Sequence, residues 1–308
     1  MSGRVRIGIS GWRYKGWRGE FYPKGLAQRR ELEYASRIFD SIEINGTFYS
    51  LQRPEYFRQW AEETPPDFVF ALKGGRFITH MLKLKNAEPA LANYFASGLL
   101  ALGEKMGPIL WQFPPQLPYN RERFESFFDL LPRSTKQAAR LAKKCNDRIL
   151  GRSCLEAQVD VPIRHCVEIR HESFASEEFI DLLRTHNIGL VAADTVEWPL
   201  LLDVTSDFVY VRLHGSEQLY WSGYEDVALE KWAERVAAWA SGKTPGGVIA
   251  EDDRARPNQA RCVTQRCASV KPRDVYVYFD NDAKVRAPFD AQGLRERVDR
   301  LLEKTKAA

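Results

Sequence analysis

The chain has 308 residues, 44% of them hydrophobic and 28% charged, which is ordinary globular composition and leaves room for one large barrel or two smaller domains. No run of about 18 apolar residues is present, and MSGRVRIGIS lacks the apolar core of a signal peptide. No membrane span is indicated, and the cytoplasm is the expected location. The net charge of +4 is concentrated: residues 133–152 hold seven Lys/Arg against one Asp, and residues 242–273 hold seven against three acids.

Eight short apolar runs follow one another along the chain: VRIGIS (5–10), SIEIN (41–45), FVFAL (68–72), PILWQF (108–113), HCVEIR (165–170), IGLVAAD (188–194), FVYVRLH (208–214) and VYVYFD (275–280). Helical patterns separate most of them, at 26–39, 54–63, 89–106, 121–131, 176–187 and 227–240, with a last one at 294–304. Pro54 and Pro89 suit the first turn of a helix, and Ser176 opens a Ser-x-Glu start signal. Only 195–207, proline-broken, resists a helical reading. Strand–helix alternation predicts a parallel sheet, and eight strands in about 300 residues predict an α/β fold: a single TIM-like (β/α)8 barrel domain over 1–308. A doubly wound open sheet is the alternative, but no Gly-x-Gly-x-x-Gly turn follows any strand.

Two segments exceed a minimal barrel. In 133–160, Lys136, Arg140, Lys143 and Lys144 fall three to four apart, which predicts a helical insert with one basic face. The segment 242–273, rich in Gly, Pro and Arg, predicts a mobile loop. Both read first as solvated surface, and second as a place for phosphate or nucleic acid. The five cysteines are odd in number and scattered, which suits free thiols, and the spacing of Cys262 and Cys267 does not make a zinc site.

Barrel strands alternate between a helix-facing and an interior side. Ile42 and Ile44, Val167 and Ile169, and Val209, Val211 and Leu213 are the apolar, helix-facing set. Their alternates are forced inward: Glu43 and Asn45, Glu168 and Arg170, Arg212 and His214. The same logic directs Ser10, Trp12, Lys73, Gln112 and Asp194 inward. All lie at the carboxyl ends of their strands, where barrel enzymes assemble their sites. A buried lattice of ion pairs is the structural alternative, because unpaired charge is costly to bury.

Glu43, Glu168, Asp194 and His214 are the candidate catalytic acids and bases. Lys73, Arg170 and Arg212 supply fixed positive charge suited to carboxylate or phosphate. Trp12, Asn45, His80, Gln112, Tyr220 and Asn281 complete the candidate binding set. Aromatic residues at the same end (Trp12, Tyr14, Trp17, Phe48, Tyr49, Tyr220, Trp221, Tyr224) either cap the barrel or stack on a ring. A divalent metal is compatible with the ligand inventory, but cations among the carboxylates favour an anionic ligand, so no metal set is assigned.

The blocks GISGWRYKGWRGEFYP, SIEINGTFYSLQRPE, FALKGGRFITH, GPILWQFPP, CVEIRHESF, VAADT, YVRLHG with YWSGY, and VYVYFDNDAKVRAP occur in order over nearly the whole chain. In them the chain resembles the domain of unknown function 72 (DUF72) family. Trp12, Glu43, Asn45, Thr47, Lys73, Thr79, His80, Gln112, Glu168, Arg170, Asp194, Arg212, His214, Asn281 and Asp282 stand at family-like positions. The resemblance implies a TIM-like barrel and supplies no reaction. The functional expectation is an enzyme, hydrolytic by preference, acting on a phosphorylated or other anionic substrate, with nucleotide or nucleic acid among the candidates. A sugar isomerase or epimerase, and a non-catalytic nucleic-acid or protein binding module, are the alternatives.

Overall fold

The computed structural model describes residues 2–215, 219, 222–243, 245, 248–249, 259–264 and 271–307. The barrel strands are β1 (Val5–Ser10), β2 (Ser41–Ile44), β3 (Val69–Lys73), β4 (Met106–Gln112), β5 (His165–Glu168), β6 (Gly189–Asp194), β7 (Phe208–Leu213) and β10 (Asp274–Phe279). They close in the order β1-β10-β7-β6-β5-β4-β3-β2, every pair parallel. Two-residue strands β8 (Val248–Ile249) and β9 (Arg261–Cys262) pair with each other outside the barrel. The expected α/β, TIM-like barrel is therefore the observed fold.

Helices α1 (Glu31–Ile38), α2 (Gly46–Tyr49), α3 (Pro54–Glu63), α4 (Glu88–Ala96), α5 (Arg121–Leu130), α6 (Thr135–Ala142), α7 (Asp147–Leu150), α8 (Glu177–Thr185), α9 (Asp226–Ala240) and α10 (Arg286–Ala307) surround it. Several starts are written locally. Ser176 accepts a hydrogen bond from Phe179 N, Ser134 from Gln137 N, and Asn146 from Arg148 N, each satisfying a donor that the first helical turn leaves open. The helix expected over 89–106 is instead broken: α4 ends at Ala96 and a 3-10 segment runs from Leu99 to Lys105. Gly98 sits between them at φ 128°, where a Cβ would lie 2.7 Å from both Phe57 Cδ2 and Pro54 Cα. Close packing on α3 thus overrides the helical periodicity. The basic insert folds as α6 and α7, with Ala138, Ala139 and Ala142 buried. Most of 242–273, including Cys267, lies outside the described residues; Cys145, Cys154 and Cys166 are free thiols.

The barrel wall separates two cores. Outward residues, such as Ile42, Val167 and Val211, join the large core shared with the helices. Inward ones, among them Leu110, Cys166, Val191, Phe208, Tyr210 and Tyr278, form a second core inside the barrel. That inner core fills the middle of the barrel; Arg6 closes its amino end by donating to the carbonyls of Asp40 and Asp67, and a second, larger polar layer lies at the carboxyl ends of the strands. Among the described residues no helix is long and apolar enough to cross a membrane.

Candidate functional site

The polar layer is centred on Arg212, which is fully buried. Its Nε and Nη2 donate to Glu43 Oε2 (3.1 Å) and Oε1 (2.9 Å), Nη1 donates to Glu168 Oε2 (2.6 Å), and Nη2 also donates to Asp280 Oδ2 (2.7 Å). Strand order explains the convergence, since β2, β5, β7 and β10 each turn their last inward residue to the barrel axis. Glu43 also accepts from Ser10 Oγ (2.8 Å) and Tyr210 OH (2.6 Å). Glu168 accepts from Gln112 Nε2 (2.7 Å) and from Arg170 Nε and Nη2 (3.0 and 2.8 Å). Arg170 in turn lies 4.1 Å over the ring of Trp198.

These partners fix the charges. Burial opposes ionisation of Glu168, yet Arg212 and Arg170 outweigh it and hold the carboxyl well below its usual range. Asp280, largely but not fully buried, is held at about 2 by Arg212 and His214 against the cost of its burial. His214 stands between the two carboxylates, Nδ1 3.1 Å from Asp280 Oδ2 and Nε2 3.7 Å from Glu168 Oε2. All of these acceptors face cations, and among the described residues no group of three or more His, Cys, Asp or Glu side chains could hold a metal ion.

Lys73, at the end of β3, differs from the rest. Only 8% exposed, its ammonium lies 4.6 Å from the centroid of the Phe48 ring and makes no hydrogen bond or ion pair with a described residue. Burial, then the nearby Arg212, pulls it down to about 8, while Glu43, Glu168 and Asp280 pull the other way. Those influences place it over the same chamber. His80, on a π-helical turn (Phe77–Met81), packs edge-on against Phe48 and shares a 2.8 Å hydrogen bond with Thr79 Oγ1 through Nδ1. Burial, Arg170 and Lys73 lower it to about 4, so its ring is neutral at pH 7. Asn45, after β2, has its Oδ1 buried without a hydrogen-bond donor among the described residues. Asp282 is pushed up to about 6 by burial and by Asp280.

Glu43, Asn45, Lys73, His80, Gln112, Glu168, Arg170, Arg212 and His214 are thus brought to one end of the barrel, as expected. Three expected members are not. Gly11 adopts φ 81° and reverses the alternation after β1, so Trp12 packs outward on Trp60 and Phe70. Asp194 shares the outer face of β6 with Leu190 and Ala192 and accepts from Trp232 Nε1 of α9 (2.8 Å). Asn281 follows inward Asp280 and turns away, its Nδ2 donating to Ser222 O (3.1 Å) and Asp290 Oδ2 of α10 (2.8 Å). Tyr220 lies outside the described residues. His171 caps the short turn Glu172–Phe174 at the rim. Asp280 was missed, although the alternation of Tyr276 and Tyr278 leads directly to it; Trp198, in an irregular connection, carried no signal.

Comparisons with known proteins agree with this architecture. The family model described as "Protein of unknown function DUF72" matches residues 6–271. UPF0759 protein YecE of Escherichia coli (strain K12) is 27% identical over 128 residues, 37% of this chain and 44% of that protein. UPF0759 protein YunF of Bacillus subtilis (strain 168) is 26% identical over 123 residues, 38% of this chain and 43% of that protein. The matched stretch spans less than half the length of either relative. Among solved structures, the DUF72 family protein TM1631 of Thermotoga maritima MSB8 superposes with a TM-score of 0.69 at 22% identity, covering 96% of this chain and 99% of that one. The DUF72 family protein EF0366 of Enterococcus faecalis V583 gives 0.64 at 16%, covering 96% and 95%. Both share the fold.

Proposed function

The chain belongs to the DUF72 family, and from the geometry of its chamber we propose that it is an enzyme acting on a phosphorylated or otherwise anionic substrate at the carboxyl face of the barrel. One observation carries this reading: the buried Lys73 ammonium has no anionic partner among the described residues, whereas Arg212 beside it has three. An unpaired buried charge is costly, and a bound anion removes that cost. The unmatched Asn45 Oδ1 adds an acceptor for a substrate hydroxyl or amine.

Roles follow from charge state. Arg212, Glu43, Glu168 and Asp280 form a fixed frame; Glu168 and Asp280 are too acidic to carry a proton at pH 7. Proton transfer falls to Asp282, near 6, and to the neutral imidazole of His80, while His214 bridges Glu168 and Asp280 within the frame. Lys73 receives the anionic group and Arg170, steadied by Trp198, closes on it. Hydrolysis is the reaction class we favour, with Asp282 as the acid or base that serves water.

The test pairs binding with turnover. Inorganic phosphate at a hundred times its Kd should raise the melting temperature of the intact chain by about 5 °C. The Lys73→Met variant should lose that shift while remaining folded. A panel of phosphomonoesters should then yield a substrate whose turnover falls at least tenfold in Asp282→Asn. No phosphate shift in the native chain, or an equal shift in Lys73→Met, would sink the assignment.

A further inference from the structure

Next to the chamber, and separated from it by Phe48, lies a groove of about 390 Å³, within the size range of small-molecule sites. Its bed is apolar: Phe48, Leu51, Ile78, Tyr94 and Ile149. Its mouth carries Tyr49, Phe77 and Met81, 68%, 53% and 65% exposed, an unusual grouping of large apolar side chains left in water. Three guanidinium groups line the same groove, Arg76 from the turn after β3 and Arg148 and Arg152 from the basic insert. None of the three makes an ion pair or a side-chain hydrogen bond with a described residue, and no described carboxylate lines the groove. Local folding fixes this arrangement: the Asn146 cap starts α7, Ile149 is buried, and Arg148 and Arg152 are left on either side of it.

Aromatic faces beside unopposed guanidinium groups suit one ligand chemistry, a planar ring joined to a phosphate. We propose that this groove is a second binding site, distinct from the chamber, for a nucleoside monophosphate. The base rests on the apolar bed between Tyr49 and Phe77, and Arg76, Arg148 and Arg152 receive the phosphate. Arginine suits this work because its fork meets phosphate oxygens in pairs. The inference stands without the chamber reading, since Lys73 takes no part in it.

Calorimetric titration of the full chain with AMP, GMP, CMP and UMP in turn, at low salt, tests it. At least one should bind, with butyl phosphate and inorganic phosphate at least tenfold weaker at the same groove. The Arg76→Ser/Arg148→Ser/Arg152→Ser variant should weaken the nucleotide at least tenfold, Tyr49→Ala/Phe77→Ala should weaken it several-fold, and Lys73→Met should leave it unchanged. All substituted side chains except Lys73 are exposed, so folding is expected to survive, as circular dichroism will register. Failure of all four nucleotides to bind overturns the inference, as does binding that the arginine variant leaves intact. Equal affinity for butyl phosphate overturns the aromatic part of it. None of these results touches the phosphate shift assigned to Lys73, so the two readings fail separately.

Discussion

The two sides of the chamber use the same kinds of residue to opposite ends. Around β7, β2, β5 and β10, Arg212 is matched by Glu43, Glu168 and Asp280 at 2.6–3.1 Å, and each carboxylate is met by further donors. At β3, Lys73 is also buried, and among the described residues its ammonium meets only the face of Phe48. A buried charge with partners behaves as architecture, whereas a buried charge without them costs stability, which is the basis of the anion site proposed above. The lattice anticipated as an alternative to a ligand site is thus present, but it is confined to one side.

Substitutions separate the two sides by sign. Arg212→Met strands three buried carboxylates, and should cost about 3–5 kcal/mol in urea unfolding at pH 7; a loss below about 1 kcal/mol would break the comparison. Lys73→Met removes a cation that the fold holds at a disadvantage and should stabilise the chain by roughly 2–3 kcal/mol at pH 7. The sign follows from its lowering from 10.5 to about 8. Between those values the unfolded chain holds a proton that the native chain has lost, so native stability rises with pH across that window. The advantage of Lys73→Met should fade there, and a constant gap between the two proteins from pH 7 to 10.5 would contradict the assignment.

The third effect is smaller and lies at the acid end. Asp280 is lowered from 3.8 to about 2, so its stabilisation is complete above about pH 4 and is lost as pH falls through 2. Asp280→Asn should flatten that limb by about 2 kcal/mol relative to the native chain. Glu168, also lowered, contributes in the same direction. Unfolding midpoints between pH 7 and 2 give both slopes.

Much of the fold was legible because a strand buried on both faces still alternates. Ile42 and Ile44 against Glu43, or Val167 and Ile169 against Glu168, announce an interior that is polar only near the strand ends. Legibility stopped where the strand did. Trp12 lies beyond a left-handed Gly11, and Asn281 follows Asp280 into a turn, so counting by twos no longer described them. Asp194 failed for a different reason: its polarity suggested the chamber, while its register with Leu190 and Ala192 put it outside. Register was the better guide. Trp198 and the groove beside Phe48 depend on loops from distant parts of the chain, and no local pattern encodes that meeting.

The seam of the barrel sets the order in which the molecule can be assembled. Strand β1 pairs with β10 from Val5↔Val275 to Ile9↔Phe279, partners some 270 residues apart. Glu43 and Arg212, joined at the axis, are separated by 169 residues. Contacts of such span carry a large loop-closure cost before they return any stabilisation, which slows folding. Asp280 follows β10, so the anionic frame around Arg212 is complete only after the final strand has docked. Until then Arg212 must remain hydrated, which makes drying of the axis a late step. The part of the refolding fluorescence that Trp198→Phe removes should therefore lag behind the recovery of helical circular dichroism.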